Sequence, residues 1–259
     1  MVTGFQQEEF FLWDLKRSQA EQLKSQMGIS SEGLPVIFSL WPLMDYFSTC
    51  LLKWSVTLDY MKLLPHKAGI KYYSDLSIND EVRFEVEWSA IPSLEVPMPR
   101  CDAKVLQAGQ CRAELSIEFL QRPPRDKPKP FDFYATQKTT SVPWAKDAEM
   151  VSMYLSAVGL EDPIFSSHEF AVAMGMVRPL IPDLYLLFRL WQAFQSEEQE
   201  LREFEVCFAQ PALSQSELFL HQNIDGKRAH GFLCDDMQRP IFSDFIIQWE
   251  KAGASWPAN

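Results

Sequence analysis

YLSAVGLEDPIFSSHEFA, residues 154–171, is the stretch on which the reading of this chain turns. It opens inside an amphipathic helical pattern over 144–157, breaks at Gly159, passes through Asp162-Pro163, and regains helical character at Ser166-Ser167-His168, a capping context. Three titratable side chains, Glu161, Asp162 and His168, sit in or beside the connecting loop. A carboxylate and an imidazole held on either side of one water suffice for general acid–base chemistry. The same residues have structural uses. Asp162 can hydrogen-bond its own loop, His168 can begin a helix, and Glu161 can face solvent.

In its spacing the stretch resembles the signature of the MaoC-like (R)-specific enoyl-thioester hydratases, which runs aromatic, S-G-D-x-N-P-[LIV]-H, then a small residue. Gly159 falls on the motif Gly, Asp162-Pro163-Ile164 on N-P-I, and Ala171 on the small residue. The two residues that move protons in that family are replaced: Leu160 stands at the Asp and Phe165 at the His. Neither side chain carries a titratable proton or can bond the attacking water. The family's oxyanion segment, similar to I-x-H-G-M at the start of a central helix, aligns with Leu180-Ile181-Pro182-Asp183-Leu184. An N–H remains at Asp183, but a carboxylate beside a developing enolate opposes its charge. An acid in a first helical turn favours the helix dipole, so a structural role fits Asp183 better.

Outward from the motif, the chain repeats one order twice, helix first and strands after. The segment 122–141, RPPRDKPKPFDFYATQKTTS, separates the repeats, with four prolines within 123–130 that disfavour regular pairing. Before it, 12–27 has helical spacing, and 37–53 is apolar nearly all round, with Pro42 suited to a first turn. His66 reads as a loop residue. Strand alternation follows at Val82, Phe84, Val86 and Trp88, then at Leu115, Ile117 and Phe119 after a turn at Gly109. After it, 182–196 predicts a buried helix opened by Pro182, and Glu203–Phe208 a short strand. Asp225-Gly226 marks a hairpin, and PIFSDFIIQWEK (240–251) a closing strand.

The resemblance widens with this order. SDLSINDEVRFEVEW and AKVLQAGQCRAELSIEFLQR look like paired strands of hot-dog thioesterases and dehydratases, and Phe208-Ala209-Gln210-Pro211 is similar to a MaoC-like segment. It implies an α+β double hot-dog in which two curled antiparallel sheets each wrap a central helix. The expected division is 1–124, a linker at 125–141, and 142–259.

Composition narrows the function. A formal charge of −11 speaks against nucleic acid, which needs clustered Lys and Arg. No apolar run approaches the roughly 18 residues of a membrane span, and the N-terminus lacks a signal-peptide pattern. Five cysteines, an odd number without C-x-x-C pairing, predict free thiols and a cytoplasmic setting. Four scattered histidines give no metal-ligand spacing, and no cofactor is expected.

The resemblance then implies an acyl-thioester protein whose hydratase chemistry is gone, with a coenzyme A or acyl carrier protein thioester as partner. Its pocket would be lined by Leu160, Phe165, Leu180, Pro182 and Asp183, with an acyl chain running toward Trp41 in the first half. Two alternatives stay open. One is an active thioesterase or atypical dehydratase using Asp162, His168 or Asp183. The other is a partner-binding protein with a closed pocket. Because both repeats lie in one chain, a monomer or weak homodimer is expected.

Overall fold

The computed structural model describes residues 7–13, 17–29, 31–53, 63–78, 80–91, 98–121, 138–195 and 199–251. Ten strands form one antiparallel sheet in the order β1-β3-β4-β5-β2-β7-β10-β9-β8-β6. The first five are β1 (Gln7–Trp13), β2 (Leu63–Tyr72), β3 (Val82–Ile91), β4 (Met98–Gln107) and β5 (Gln110–Gln121). The rest are β6 (Lys138–Val142), β7 (Gln199–Phe208), β8 (Leu218–Asp225), β9 (Arg228–Asp235) and β10 (Pro240–Lys251). The strands of the two repeats therefore occupy separate halves of the sheet, and they meet where β2 pairs with β7, Lys67–Lys71 against Glu203–Cys207.

Period-two alternation decides which face meets the helices. Val82, Phe84, Val86 and Trp88 are buried, as are Val105, Leu115, Ile117 and Phe119. Arg83, Glu85 and Glu87 between them point away. The helices are α1 (Arg17–Gln26), α2 (Leu40–Lys53), α3 (Ala148–Val158), α4 (His168–Ala173) and α5 (Asp183–Ala193). A 3₁₀ turn at Val36–Ser39 leads directly into α2 and is buried throughout. On α5, Tyr185, Leu186, Leu187, Phe188 and Leu190 are at most 1% exposed, as a helix wrapped by a sheet must be. The halves interlock through Phe38 on Phe188, ring centroids 5.0 Å apart, and through the Gln192 side chain, which donates to the Met27 carbonyl at 2.9 Å.

Four expectations change. Leu12 and Trp13 belong to strand β1, not a helix over 12–27, because β3 offers an open edge with which the FFLW run of β-favouring residues can pair. His66 lies within β2, at the irregularity between Pro65 and Lys67, not in a loop. The strand expected at Glu203–Phe208 begins at Gln199. Residues 138–141, expected as linker, form most of β6 on β8, since past the prolines the Lys-Thr-Thr-Ser-Val run is free to pair. The remainder of the expected linker, 125–137, lies outside the described residues.

Candidate functional site

Helix α3 ends in a left-handed residue, Gly159 (φ 69°, ψ 29°), which only glycine adopts at little cost. The Leu160 N–H then closes back on the Leu155 carbonyl at 2.9 Å, turning the chain sharply out of the helix. Asp162 starts a 3₁₀ turn at Pro163–Phe165, its carboxylate accepting from the Ile164 N–H at 2.9 Å. Ser167 caps α4 by accepting from the Phe170 N–H at 3.2 Å, and His168 is exposed as the first residue of that helix. The titratable groups of the loop are thus engaged in local structure or face water. Glu161 is exposed.

One hydrogen bond ties this loop to the start of α5. The Leu180 N–H donates to the Ile164 carbonyl at 3.0 Å. Leu180 also bridges to Leu213, and the Ile181 N–H donates to the Ala212 carbonyl at 2.8 Å. Pro182 is buried as the residue before α5 and Asp183 opens its first turn, with no side-chain cap at Pro182. The chain therefore brings Ile164, beside Phe165, against Leu180, which precedes Pro182 and Asp183 by two and three residues; Leu160, Ile164, Phe165 and Leu180 are half-buried. Trp41 is half-buried on α2 and packs against the core.

Sequence reasoning did not single out a polar connection between the start of α3 and α5. The Tyr185 hydroxyl accepts from Arg189 at 3.0 Å and donates to the Trp144 carbonyl at 3.4 Å. Arg189 reaches Asp147 at 3.9 Å, and Asp147 caps α3 through the Met150 N–H at 3.1 Å. Burial holds the Tyr185 phenol above its ordinary range, with Arg189 pulling the other way, so at neutral pH it serves as a neutral hydrogen-bonding group. The i, i+4 spacing of Tyr185 and Arg189 was the available signal. What could not be read was that Asp147, nearly forty residues upstream, stands opposite.

A broad depression of about 1050 Å³ lies elsewhere, on the sheet face turned from the helices. Lys71, Glu114, Arg100 and Asp102 line it and are ion-paired, Lys71 with Glu114 at 3.5 Å and Arg100 with Asp102 at 2.7 Å. Size alone does not make it the chemical site. Gly69 and Ser116 also line it, and its ion pairs are part-exposed to solvent, where such pairs contribute little. Among the described residues no group of three or more His, Cys, Asp or Glu is placed to hold a metal ion. No described helix is long and apolar enough to cross a membrane.

No family model and no curated protein matches the sequence. Solved structures do match its shape. A MaoC-like dehydratase from Phytophthora capsici superposes with a TM-score of 0.71 at 9% identity, covering 98% of each chain. HtdX of Mycobacterium tuberculosis gives 0.69 at 11% identity, over 95% of this chain and all of that one. An acyl-ACP thioesterase from Bacteroides thetaiotaomicron gives 0.61 at 8% identity, over 94% and 98%. At such identities the likeness is one of fold: this chain is an α+β double hot-dog, built like MaoC-like dehydratases and acyl-ACP thioesterases.

Proposed function

We propose that the protein binds acyl thioesters, carried by coenzyme A or acyl carrier protein, at the junction of the 160–165 loop and the start of α5, and that it no longer hydrates them. The reading takes it as a monomer or weak homodimer in the cytoplasm. One observation carries it. The loop keeps its glycine turn, its Asp162 cap and its bond to Leu180, while Leu160 and Phe165 stand where the resembled motif has its proton-transfer pair. Two apolar side chains there leave a surface suited to an acyl group and unable to move a proton. Leu160, Phe165, Leu180 and Pro182 supply contact, Asp183 begins the helix, and Trp41 lies on the first-half side.

The test combines turnover and binding. Hydration of crotonyl-CoA is expected to be undetectable, and Leu160→Asp with Phe165→His to recover at most a trace. Calorimetry is expected to show affinity rising with acyl length, by up to about 0.8 kcal/mol per buried methylene. Robust hydration by the unaltered protein, or affinity flat from short to long acyl groups, ends this reading.

The likeness in fold to an acyl-ACP thioesterase favours one alternative, hydrolysis through a single carboxylate. Asp162, His168 and Asp183 are the candidates, although Asp162 is engaged by the Ile164 N–H. Release of thiol from acyl-CoA, lost in Asp183→Asn, would favour it over binding alone.

A further inference from the structure

We infer, resting on the acyl-binding reading above, that Arg178 holds the phosphate at the far end of the ligand's pantetheine arm, a group that coenzyme A and acyl carrier protein share. Arg178 begins the segment that leads into the candidate site. Two residues on, the Leu180 N–H bonds to the Ile164 carbonyl of the loop at 3.0 Å, and three residues later Asp183 opens α5. On the same segment the Ser214 N–H donates to the Pro179 carbonyl at 2.8 Å, and the Ile181 N–H to the Ala212 carbonyl at 2.8 Å. Residues 179–181 are thus fixed between the loop and 212–214. Along them the chain climbs to the surface: Pro182 and Ile181 are buried, Leu180 and Pro179 half-buried, and Arg178 exposed.

The charge at that point is not spent on the protein itself. Arg178 reaches the Ser214 carbonyl at 3.5 Å, beyond the usual range for such a bond. Among the described residues it makes no ion pair, whereas the other cations of 142–195 do: Lys146 with Glu217 at 3.3 Å and Arg189 with Asp147 at 3.9 Å. A guanidinium presents its N–H donors in a planar fork that fits phosphate oxygens, and most of this fork is unused. The chain carries a formal charge of −11, so an anionic carrier is repelled by the molecule as a whole. A phosphate arriving at this site therefore needs a local cation, and Arg178 is the one that the segment supplies.

The spacing fits the arm. Five residues of chain lead from Arg178 to Asp183, at most roughly 17 Å when extended, and a pantetheine arm stretched from its thioester sulfur to its phosphate is of comparable length. With the thioester at the start of α5, the arm follows 179–182 outward and its phosphate meets the guanidinium at the exposed end. The acyl group contributes affinity at the buried end, and Arg178 selects for a phosphate-bearing carrier at the other.

Tetradecanoyl-pantetheine and tetradecanoyl-phosphopantetheine, which differ only in the phosphate, are the probes, titrated calorimetrically into the full chain. The parent should bind the phosphorylated thioester more tightly. In Arg178→Gln its affinity should fall about fivefold, the loss of one exposed charge-assisted pair, and affinity for tetradecanoyl-pantetheine should change less than about twofold. Arg178→Lys, which keeps the charge and loses the fork, should recover part of the difference. Arg178 is exposed, so folding is not at stake. Arg228→Gln, exposed beyond the far end of β8, removes the same charge and should change neither titration. Tetradecanoyl-CoA and tetradecanoyl acyl carrier protein then separate the carriers: a loss in Arg178→Gln with both supports a shared phosphate site, and a loss with one supports it and assigns that carrier. A loss with tetradecanoyl-CoA and none with tetradecanoyl-phosphopantetheine would put a nucleotide phosphate at Arg178 and overturn the inference. If Arg178→Gln binds all four like the parent, or weakens both probes equally, the inference fails while the acyl-binding reading stands. If the parent binds none of the four, both fail.

Discussion

Gly159 and Asp162 show what the loop retains. At φ 69° an added Cβ meets nothing within 4 Å, so the cost of Gly159→Ala is conformational only. About 1 kcal/mol is expected, read as a lower urea midpoint. Asp162→Ala removes the cap on the Ile164 N–H and should cost a similar ~1 kcal/mol. Neither residue was legible as structural from its type alone; the positions of Gly159 and Asp162-Pro163 within one short run made them so. His221 makes a separate case. Its ring stacks on Phe232 at 4.3 Å, Thr139 meets one nitrogen at 2.9 Å, and burial holds its pKa below the ordinary value. As pH falls through about 6.5, the unfolded chain takes up a proton that the folded imidazole resists, so stability drops. Above that pH both states are neutral and the contribution is complete. His221→Gln should therefore lose less stability than the parent between pH 7.5 and 5.5 in urea titrations. Equal losses would show that this imidazole does not drive the acid side.

Elements with strong period-two alternation were readable, and those defined by a distant partner were not. β3, β4, β5 and β10 announce themselves through alternating Val, Phe, Ile and Leu, and the β8–β9 hairpin through Asp225-Gly226. β1 and β6 are edge strands, and each exists because a neighbour, β3 or β8, offers unpaired groups. β2 contains Pro65 and His66 and resembles a loop locally; pairing with β5 on one side and β7 on the other makes it a strand. The candidate site divides the same way. Its loop could be read from the motif spacing, whereas the Asp147–Arg189–Tyr185 connection depends on how α3 and α5 pack. At this scale β9 has a sensitive point. A Cβ at Gly231 would meet the His221 carbonyl oxygen at 1.9 Å and the Phe245 ring at 2.8 Å. The first obstacle is backbone, so no rotamer change relieves it. Gly231→Ala should destabilise by about 1–3 kcal/mol or more, measured by urea unfolding. Amide protection should fall first in β8 and β9. A variant as stable as the parent would mean the β8–β9 spacing adjusts freely.

At the scale of the molecule, the question is whether two repeats behave as two units. The sheet does not stop between them: β2 and β7 pair over five residues, and Lys67 reaches Glu205 across the seam at 2.9 Å. That ion pair is part-exposed and adds little by itself. The apolar contacts matter more. Phe38 of the first repeat packs on Phe188 of the second, and α1 lies against α3, with Gln192 bonded to the end of α1. Separating the repeats would expose Phe38 and Phe188, now 4% and 1% exposed, and leave strand edges unpaired on both β2 and β7. Each half alone is therefore poorly stable, and the chain is expected to unfold in one step although its length would allow two domains. Hydrogen exchange in rising urea checks this, comparing amides of β4 in the first repeat with those of β10 in the second. Both should lose protection at the same urea concentration. Phe188→Ala, which opens the contact between repeats, should lower both together, by about 3–5 kcal/mol of stability. Two midpoints in the parent would show that the repeats fold independently and that the seam is only a docking surface. A second midpoint that appears only in Phe188→Ala would instead show that the Phe38–Phe188 contact is what couples them.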